Sequence, residues 1–131
     1  MELKSLTINL MVADVQRSVD FYSKSFGFEV ITTVPGEDGL IFAMIKLDDV
    51  SIMLQSMSSF AESNPDFSKT PVGGTVLLYI DVSEIRILYQ KVKQAGVPIY
   101  REMHDTFYGT SEFTVKDCDG YLLSFAEDKA V

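Results

Sequence analysis

An internal repeat constrains the fold of this chain more than any other feature of its sequence. Residues 12–28 and 82–97 carry the same order of features: the end of a strand, an amphipathic helix, a glycine and a new strand. Asp14 precedes Gly27 by 13 positions, and Ser83 precedes Gly96 by 13. A repeat of this kind indicates duplicated architecture. Because about 60 residues make a marginal core, we expect the two halves to depend on each other.

The first helix illustrates the pattern that both halves share. Asp14 can cap its start, because a carboxylate accepts from the free N–H groups of a first helical turn. Gly27 suits the left-handed position that ends a helix. One helical face carries the apolar residues, which are Val15, Val19, Tyr22 and Phe26.

Alternating apolar and polar residues predict four strands in each half. In the first half they are residues 5–12, 28–34, 40–47 and 50–57; in the second they are residues 75–82, 97–103, 111–116 and 121–127. Asp119-Gly120 predicts the turn of the last hairpin. Residues 58–73 are rich in Ser, Pro and Gly and predict a connector. We therefore predict one domain over residues 1–131, with module 1 at 1–57, the connector at 58–73 and module 2 at 74–131.

Composition excludes several functional classes. The net charge of −8 disfavours nucleic acid and anionic membranes, whose phosphates require a basic surface. Cys118 is the single cysteine, so no internal disulfide forms. No signal peptide and no apolar run of about 20 residues, as a membrane span requires, is found in the sequence. A cytoplasmic protein is the expectation.

Two motifs stand out, one over residues 14–22 and 26–28 and the other over residues 108–109 and 113–121. They resemble signatures of the vicinal oxygen chelate superfamily, which includes glyoxalase I, bleomycin-resistance proteins and extradiol dioxygenases. Cys118 stands where the family usually has proline. The resemblance covers nearly the whole chain. It implies an α+β fold in which two tandem βαβββ modules form a cupped, half-open mixed β-sheet barrel, and it implies a homodimer.

Enzymes of that family hold a divalent metal with ligands from the first and last strand of each module. The corresponding positions here are Thr7, Gln55, Leu77 and Ser124. None is an imidazole or a carboxylate, and Leu77, or Val76 in an alignment shifted by one residue, has no lone pair to offer. We therefore expect no metal and no cofactor, and name no catalytic residue.

Strand alternation predicts an apolar cup with scattered hydrogen-bonding groups, which is typical of a small-molecule pocket. The predicted ligand-binding residues are Thr7, Asn9, Met53, Gln55, Leu77, Tyr79, His104, Phe107, Tyr108 and Ser124. His104 is the single histidine and can be an acid–base group or a solvated loop residue. Phe107 and Tyr108 can stack on a flat ligand or pack their loop.

Three functions remain open from the sequence. The first is a metal-independent binding protein that sequesters a cationic or aromatic small molecule. The second is a lyase, isomerase or dioxygenase-type enzyme with a non-standard or absent metal site. The third is a structural or regulatory dimer whose cup is filled by its own side chains. We favour the binding protein, because the net negative charge of the chain and the missing metal ligands agree with it.

Overall fold

A computed structural model describes residues 1–129 of the chain. These residues form two compact units. The first consists of Met1–Ser23 and Gly27–Val72, and the second of Lys24–Phe26 with the residues from Gly73 onward. Each unit contains one four-stranded mixed sheet. The predicted α+β class with two tandem modules is confirmed.

The first unit is built on a sheet of order β1-β4-β3-β2. Its elements are β1 (Ile8–Val12), α1 (Val15–Phe26), β2 (Glu29–Gly36), β3 (Gly39–Leu47), β4 (Val50–Ser56), α2 (Met57–Ser63) and a 3₁₀ turn (Pro65–Phe67). β1 pairs with β4 in parallel, whereas the other pairs are antiparallel. β1 begins three residues later than predicted, so Thr7 lies outside it and is exposed.

The second unit repeats this arrangement with a sheet of order β5-β8-β7-β6. Its elements are β5 (Leu77–Asp81), α3 (Ile85–Gln94), β6 (Ile99–Asp105), β7 (Thr110–Lys116) and β8 (Leu122–Asp128). β5 pairs with β8 in parallel, and the β6–β7 and β7–β8 pairs are antiparallel. Parallel pairing of the first and last strand of each unit is possible because the intervening helix provides the crossover.

The predicted ends of α1 are confirmed. The side chain of Asp14 accepts a hydrogen bond from the Arg17 N–H at 3.0 Å. Gly27 adopts φ 91°, and its N–H donates to the Ser23 carbonyl at 2.9 Å. The N–H of Phe28 donates to the Tyr22 carbonyl at 3.3 Å. These two bonds satisfy carbonyls that the end of a helix leaves free.

The start of α3 differs from that of α1, because Ser83, the counterpart of Asp14 in the repeat, does not cap it. Glu84 is the capping residue, and its own side chain makes no capping bond. Instead, the Glu127 carboxylate of β8 accepts from the N–H groups of Glu84 at 2.7 Å and Ile85 at 3.1 Å. Glu84 adopts φ 54°, which is uncommon for a residue with a side chain. A residue distant in sequence thus replaces the local cap.

Glu127→Ala is expected to lower the free energy of unfolding by about 1 kcal/mol, as loss of a helix cap typically does. The carboxylate also opposes the positive end of the helix dipole. Urea denaturation measures the change, with the neighbouring exposed residue varied as Asp128→Ala for control. Equal losses in the two variants would show that the Glu127 cap contributes nothing specific.

The connector is more ordered than its composition predicts. The composition of residues 58–73 predicts only a connector, and the structure shows that most of α2 and the 3₁₀ turn fall within it. The Ser56 hydroxyl caps α2 by accepting from the Ser59 N–H at 3.3 Å. Phe60 and Phe67 pack edge to face, with ring centroids 5.2 Å apart. A serine cap and one aromatic pair are enough to order a segment rich in turn-forming residues.

Alternation along the second sheet separates an apolar face from a polar one. Phe113, Val115 and Leu123 are fully buried, and Phe125 is 4% exposed. The Phe113 ring lies 5.0 Å from the Tyr89 ring of α3 and 5.3 Å from the Phe125 ring. This face therefore forms the core, and the alternate residues of each strand point to the opposite face.

Candidate ligand site on the second sheet

The other face of the second sheet, opposite the apolar core, carries polar side chains in register on neighbouring strands. On β7 these are Thr110, Glu112 and Thr114, which alternate with the buried Phe113 and Val115. Thr114 pairs with Ser124 of β8, and Ser124 pairs with Tyr79 of β5. Residues in register on adjacent strands project to the same side of a sheet. Tyr79, Thr114 and Ser124 therefore form one row across this face.

Glu112 lies at the centre of a hydrogen-bonded cluster. Its side chain is 7% exposed and accepts from three hydroxyl groups. The Tyr79 hydroxyl donates at 2.5 Å, the Thr110 hydroxyl at 2.8 Å, and the Tyr108 hydroxyl to both carboxylate oxygens at 3.1 Å. A buried carboxylate is tolerated only when such donors replace water. We call Tyr79, Tyr108, Thr110 and Glu112 the carboxylate cluster.

The cluster changes the acid–base properties of its members. The hydrogen bond to Glu112, together with desolvation and the adjacent negative charge, raises the pKa of Tyr79 to about 12. Desolvation and the same carboxylate raise the pKa of Tyr108. For Glu112, desolvation alone would raise the pKa, but the bonds from Tyr79, Thr110 and Tyr108 and the charge of His104 outweigh it and lower the pKa below 4.5. The cluster is thus an anionic carboxylate held by neutral phenols.

The lowered pKa of Glu112 predicts acid sensitivity. Glu112 stabilises the folded chain above its unfolded pKa, which we take as 4.5, and this contribution is lost as pH falls through the lower folded value. We expect the difference in unfolding free energy between the wild type and Glu112→Gln to be largest near neutral pH and to shrink below pH 4.5. Urea titrations at several pH values measure it. A difference independent of pH would contradict the assignment.

His104 lies on a strand and not in the predicted loop. It is in β6, directly opposite Glu112 of β7, and it is half-buried. Its Nδ1 atom is 2.9 Å from the Glu102 carbonyl oxygen. Because a carbonyl oxygen can only accept, Nδ1 carries the proton, and Nε2 is the ring nitrogen left for another partner. The register places this imidazole beside the carboxylate cluster.

Large side chains around the cluster are exposed. Leu77 is 48% exposed, Tyr79 51%, Tyr108 57% and Phe107 100%. Phe107 and Tyr108 pack edge to face at 5.1 Å, in the loop between β6 and β7. Ser124 is buried, and its hydroxyl lies 2.6 Å from that of Thr114. Exposed apolar groups around a few fixed polar groups are the usual composition of a small-molecule site.

The remaining predicted residues belong to the first unit. Asn9 of β1 is in register with Met53 of β4, and its amide donates to the Gln55 side-chain oxygen at 2.9 Å. The Gln55 amide in turn donates to the Ser59 hydroxyl at 2.9 Å. Within residues 1–129, the Asn9 side-chain oxygen is a buried acceptor without a hydrogen-bond partner. Thr7 precedes the strand and is exposed.

The side chains at the expected metal positions do not fit a transition metal. Leu77 has no donor atom, the Ser124 hydroxyl is engaged with Thr114, and the Gln55 amide is engaged with Asn9 and Ser59. Nowhere in residues 1–129 do three His, Cys, Asp or Glu side chains converge as metal ligands would. Imidazole, thiolate and carboxylate are the groups that hold such metals.

Glu112 and Thr110 were not among the residues predicted from the sequence. The signal was nevertheless present, since strand alternation places Glu112 on the face opposite Phe113 and Val115. A carboxylate at that position cannot face the core. What the sequence did not reveal is that three hydroxyl groups, one of them from the loop before β7 and one from β5, would converge on it.

Comparison with known proteins identifies the family. The model described as the glyoxalase/bleomycin resistance protein/dioxygenase superfamily matches residues 4–125. The chain belongs to this superfamily. A bleomycin resistance protein of Geobacillus stearothermophilus is 32% identical over 88% of the chain and 90% of the relative. An uncharacterized protein of Mycobacterium tuberculosis is 27% identical over 94% of the chain and 74% of the relative.

Solved structures of the superfamily share the fold. TioX from Micromonospora aligns with a TM-score of 0.76 and 20% identity over 95% of the chain and 98% of that structure. TnmS3, an antibiotic binding protein from Streptomyces, aligns with a TM-score of 0.77 and 18% identity over 98% and 99%. At such identities the likeness concerns the fold. Among the helices within residues 1–129, none is long and apolar enough to cross a membrane.

Proposed function

We propose that this superfamily member is a cytoplasmic, metal-independent protein that binds and sequesters a small organic molecule. The observation that carries the proposal is the carboxylate cluster, in which a buried anionic Glu112 lies beneath exposed tyrosine rings. The ligand class it favours is an aromatic or apolar molecule with a cationic group.

The physical basis is attraction between a cation and an electron-rich ring. A neutral phenol that donates a hydrogen bond to a carboxylate gains electron density on its ring, and cations bind the faces of electron-rich rings. Tyr79 and Tyr108 both donate to Glu112 and both remain about half exposed. Phe107 and Leu77 add exposed apolar surface for the rest of the ligand.

Relatives give independent support for this class of ligand. Bleomycin resistance proteins are among the similar sequences, and an antibiotic binding protein is among the similar structures. We therefore include bleomycin, a large cationic glycopeptide, among the first molecules to test. Thr7, Asn9, Met53 and Gln55 stay in the proposal as ligand-binding candidates of the first unit taken by itself.

A thermal-shift screen tests the proposal. The panel contains bleomycin, aromatic amines and divalent metals, each added to protein pretreated with a chelator. We expect the melting temperature to rise with an organic cation and to be unchanged by metals alone, because only ligands that bind the folded state stabilise it. The matched variant is Glu112→Gln, which removes the charge and keeps the shape.

Elemental analysis of the purified protein completes this test. We expect no stoichiometric divalent metal, because the side chains at the family's metal positions are poor ligands. About one tightly held metal per chain, or a thermal shift that requires metal, would contradict the proposal. A shift that is identical in wild type and Glu112→Gln would place the ligand elsewhere.

The homodimer also remains a proposal. β2 is an edge strand that is exposed over its whole length, with Val30, Ile31 and Val34 between 43% and 55% exposed. Exposed apolar edge strands favour pairing with a second chain. Light scattering should give twice the 14.6 kDa chain mass.

A metal-free enzyme is the second candidate function, and His104 is the observation that favours it. Its Nε2 atom is available beside an anionic carboxylate, an arrangement that suits acid–base catalysis of a lyase or isomerase reaction. Turnover that depends on His104 but not on metals would support this candidate. Binding without turnover would support sequestration.

A further inference from the structure

A cavity lies on the same face of the second sheet as the carboxylate cluster, toward the other end of its strands. It has a volume of about 270 Å³ and is lined by Leu77, Tyr100, Lys116, Leu122 and the segment around Gly73. The Lys116 ammonium lies 5.2 Å from the centre of the Tyr100 ring. Throughout residues 1–129, no carboxylate lies within 4.0 Å of this ammonium. The cavity therefore offers an unpaired cation beside apolar side chains.

One wall of this cavity is fixed by a close approach of backbone segments. Gly73 adopts φ 78°, and a Cβ atom at this position would lie 2.3 Å from the Asp119 carbonyl oxygen. Only glycine satisfies both conditions. The wall beside Lys116 is thus formed by a backbone contact that a larger residue would disrupt.

Strand register relates this cavity to the carboxylate cluster. Lys116 is in register with Leu122, which is in register with Leu77. Lys116 and Glu112 are four residues apart on β7 and point to the same face, so their positions are separated by roughly 13 Å along the strand. Between them lie Thr114, Ser124 and Tyr79. An anionic site and a cationic site therefore occupy two ends of one continuous surface.

We propose that this face binds an elongated dipolar molecule, with its cationic group at the Glu112 end and its anionic group at Lys116. This inference rests on the proposed function and adds the anionic end of the ligand. Leu77 and Tyr79 would contact an apolar or aromatic middle section. Recognition at two ends selects for length as well as charge, because an ion placed at only one end gains only one interaction.

Arg101 is the other cation to consider. It is in register with Thr114, and its positive charge opposes the rise in the pKa of Tyr108. It therefore acts on a member of the carboxylate cluster. Lys116, at the far end and unpaired, is better placed to receive the anionic group of a molecule whose amine contacts the tyrosine rings.

The experiment uses four matched probes in calorimetric titrations of the full chain. The first is a biphenyl with an aminomethyl group at one end and a carboxylate at the other. The second and third lack the carboxylate or the amine, and the fourth is the short, single-ring aminomethylbenzoate. We expect the long dipolar probe to bind most tightly, by about fivefold over the amine alone, the upper end for an exposed ion pair.

Lys116→Gln is expected to remove this fivefold advantage and leave binding of the amine-only probe unchanged. Lys69→Gln, which changes the same charge at an exposed connector residue, should alter neither. Equal affinities of the long dipolar and amine-only probes, or loss of the advantage in Arg101→Gln rather than in Lys116→Gln, would overturn the inference and leave the proposed function intact. Failure of every probe to bind the wild type would count against both.

Discussion

Replacing Glu112 with leucine is expected to lower the free energy of unfolding by about 3 kcal/mol, the upper range for leaving buried polar groups without partners. The carboxylate accepts from the hydroxyl groups of Tyr79, Tyr108 and Thr110, and leucine accepts none of them. Chemical denaturation near neutral pH measures the loss. Glu112→Gln keeps one oxygen acceptor and should lose less.

The same substitution should lower the pKa of the Tyr79 phenol by removing its hydrogen-bond acceptor. Its pKa is raised to about 12 chiefly by the hydrogen bond to Glu112, so in Glu112→Leu it should return toward 10.0. Ultraviolet titration detects tyrosine ionisation, and subtraction of the Tyr79→Phe spectrum isolates this residue from the other five. An unchanged Tyr79 titration would show that the cluster does not exist in solution.

Phe113→Ala is expected to destabilise the chain by about 4 kcal/mol, as truncation of a buried phenylalanine does. Phe113 is fully buried and its ring contacts both Tyr89 and Phe125. Removing the ring would leave a cavity between α3 and the second sheet. Thermal and urea denaturation should agree on this loss.

Phe107→Ala is the matched control, because it removes the same ring from a position that is 100% exposed. We expect its stability to stay within about 0.5 kcal/mol of the wild type and its binding of aromatic probes to weaken. Comparable destabilisation by the two substitutions would contradict the assignment of Phe107 to a ligand-facing surface.

The sequence predicted the elements of the fold because local chemistry determines them. Asp14 and Gly27 define the ends of α1 through their own backbone and side-chain preferences. The cap of α3 could not be predicted in this way, because Glu127 reaches it from the last strand. Helix α2 was also missed, since short segments with turn-forming residues give no periodic pattern.

The candidate site was predicted in part for the same reason. Alternation selected Tyr79 and Ser124, and the second motif drew attention to Tyr108. Predicting Glu112 as a site residue requires the strand register. It lies 33 residues from Tyr79 in the sequence, and only strand pairing shows that the two side chains meet. The predicted strand ends at residue 103, whereas β6 continues through His104 with a bulged pairing that sequence alternation does not show.

Metal-independent cation binding at the carboxylate cluster is tested most directly by a calorimetric titration of the chelator-treated chain with the aminomethyl biphenyl, in wild type and in Glu112→Gln. We expect binding without added metal and an affinity about fivefold weaker in Glu112→Gln, because a cation loses its anionic partner. Binding that appears only when a divalent metal is restored, or that is equally tight in both proteins, would contradict metal-independent binding at this cluster.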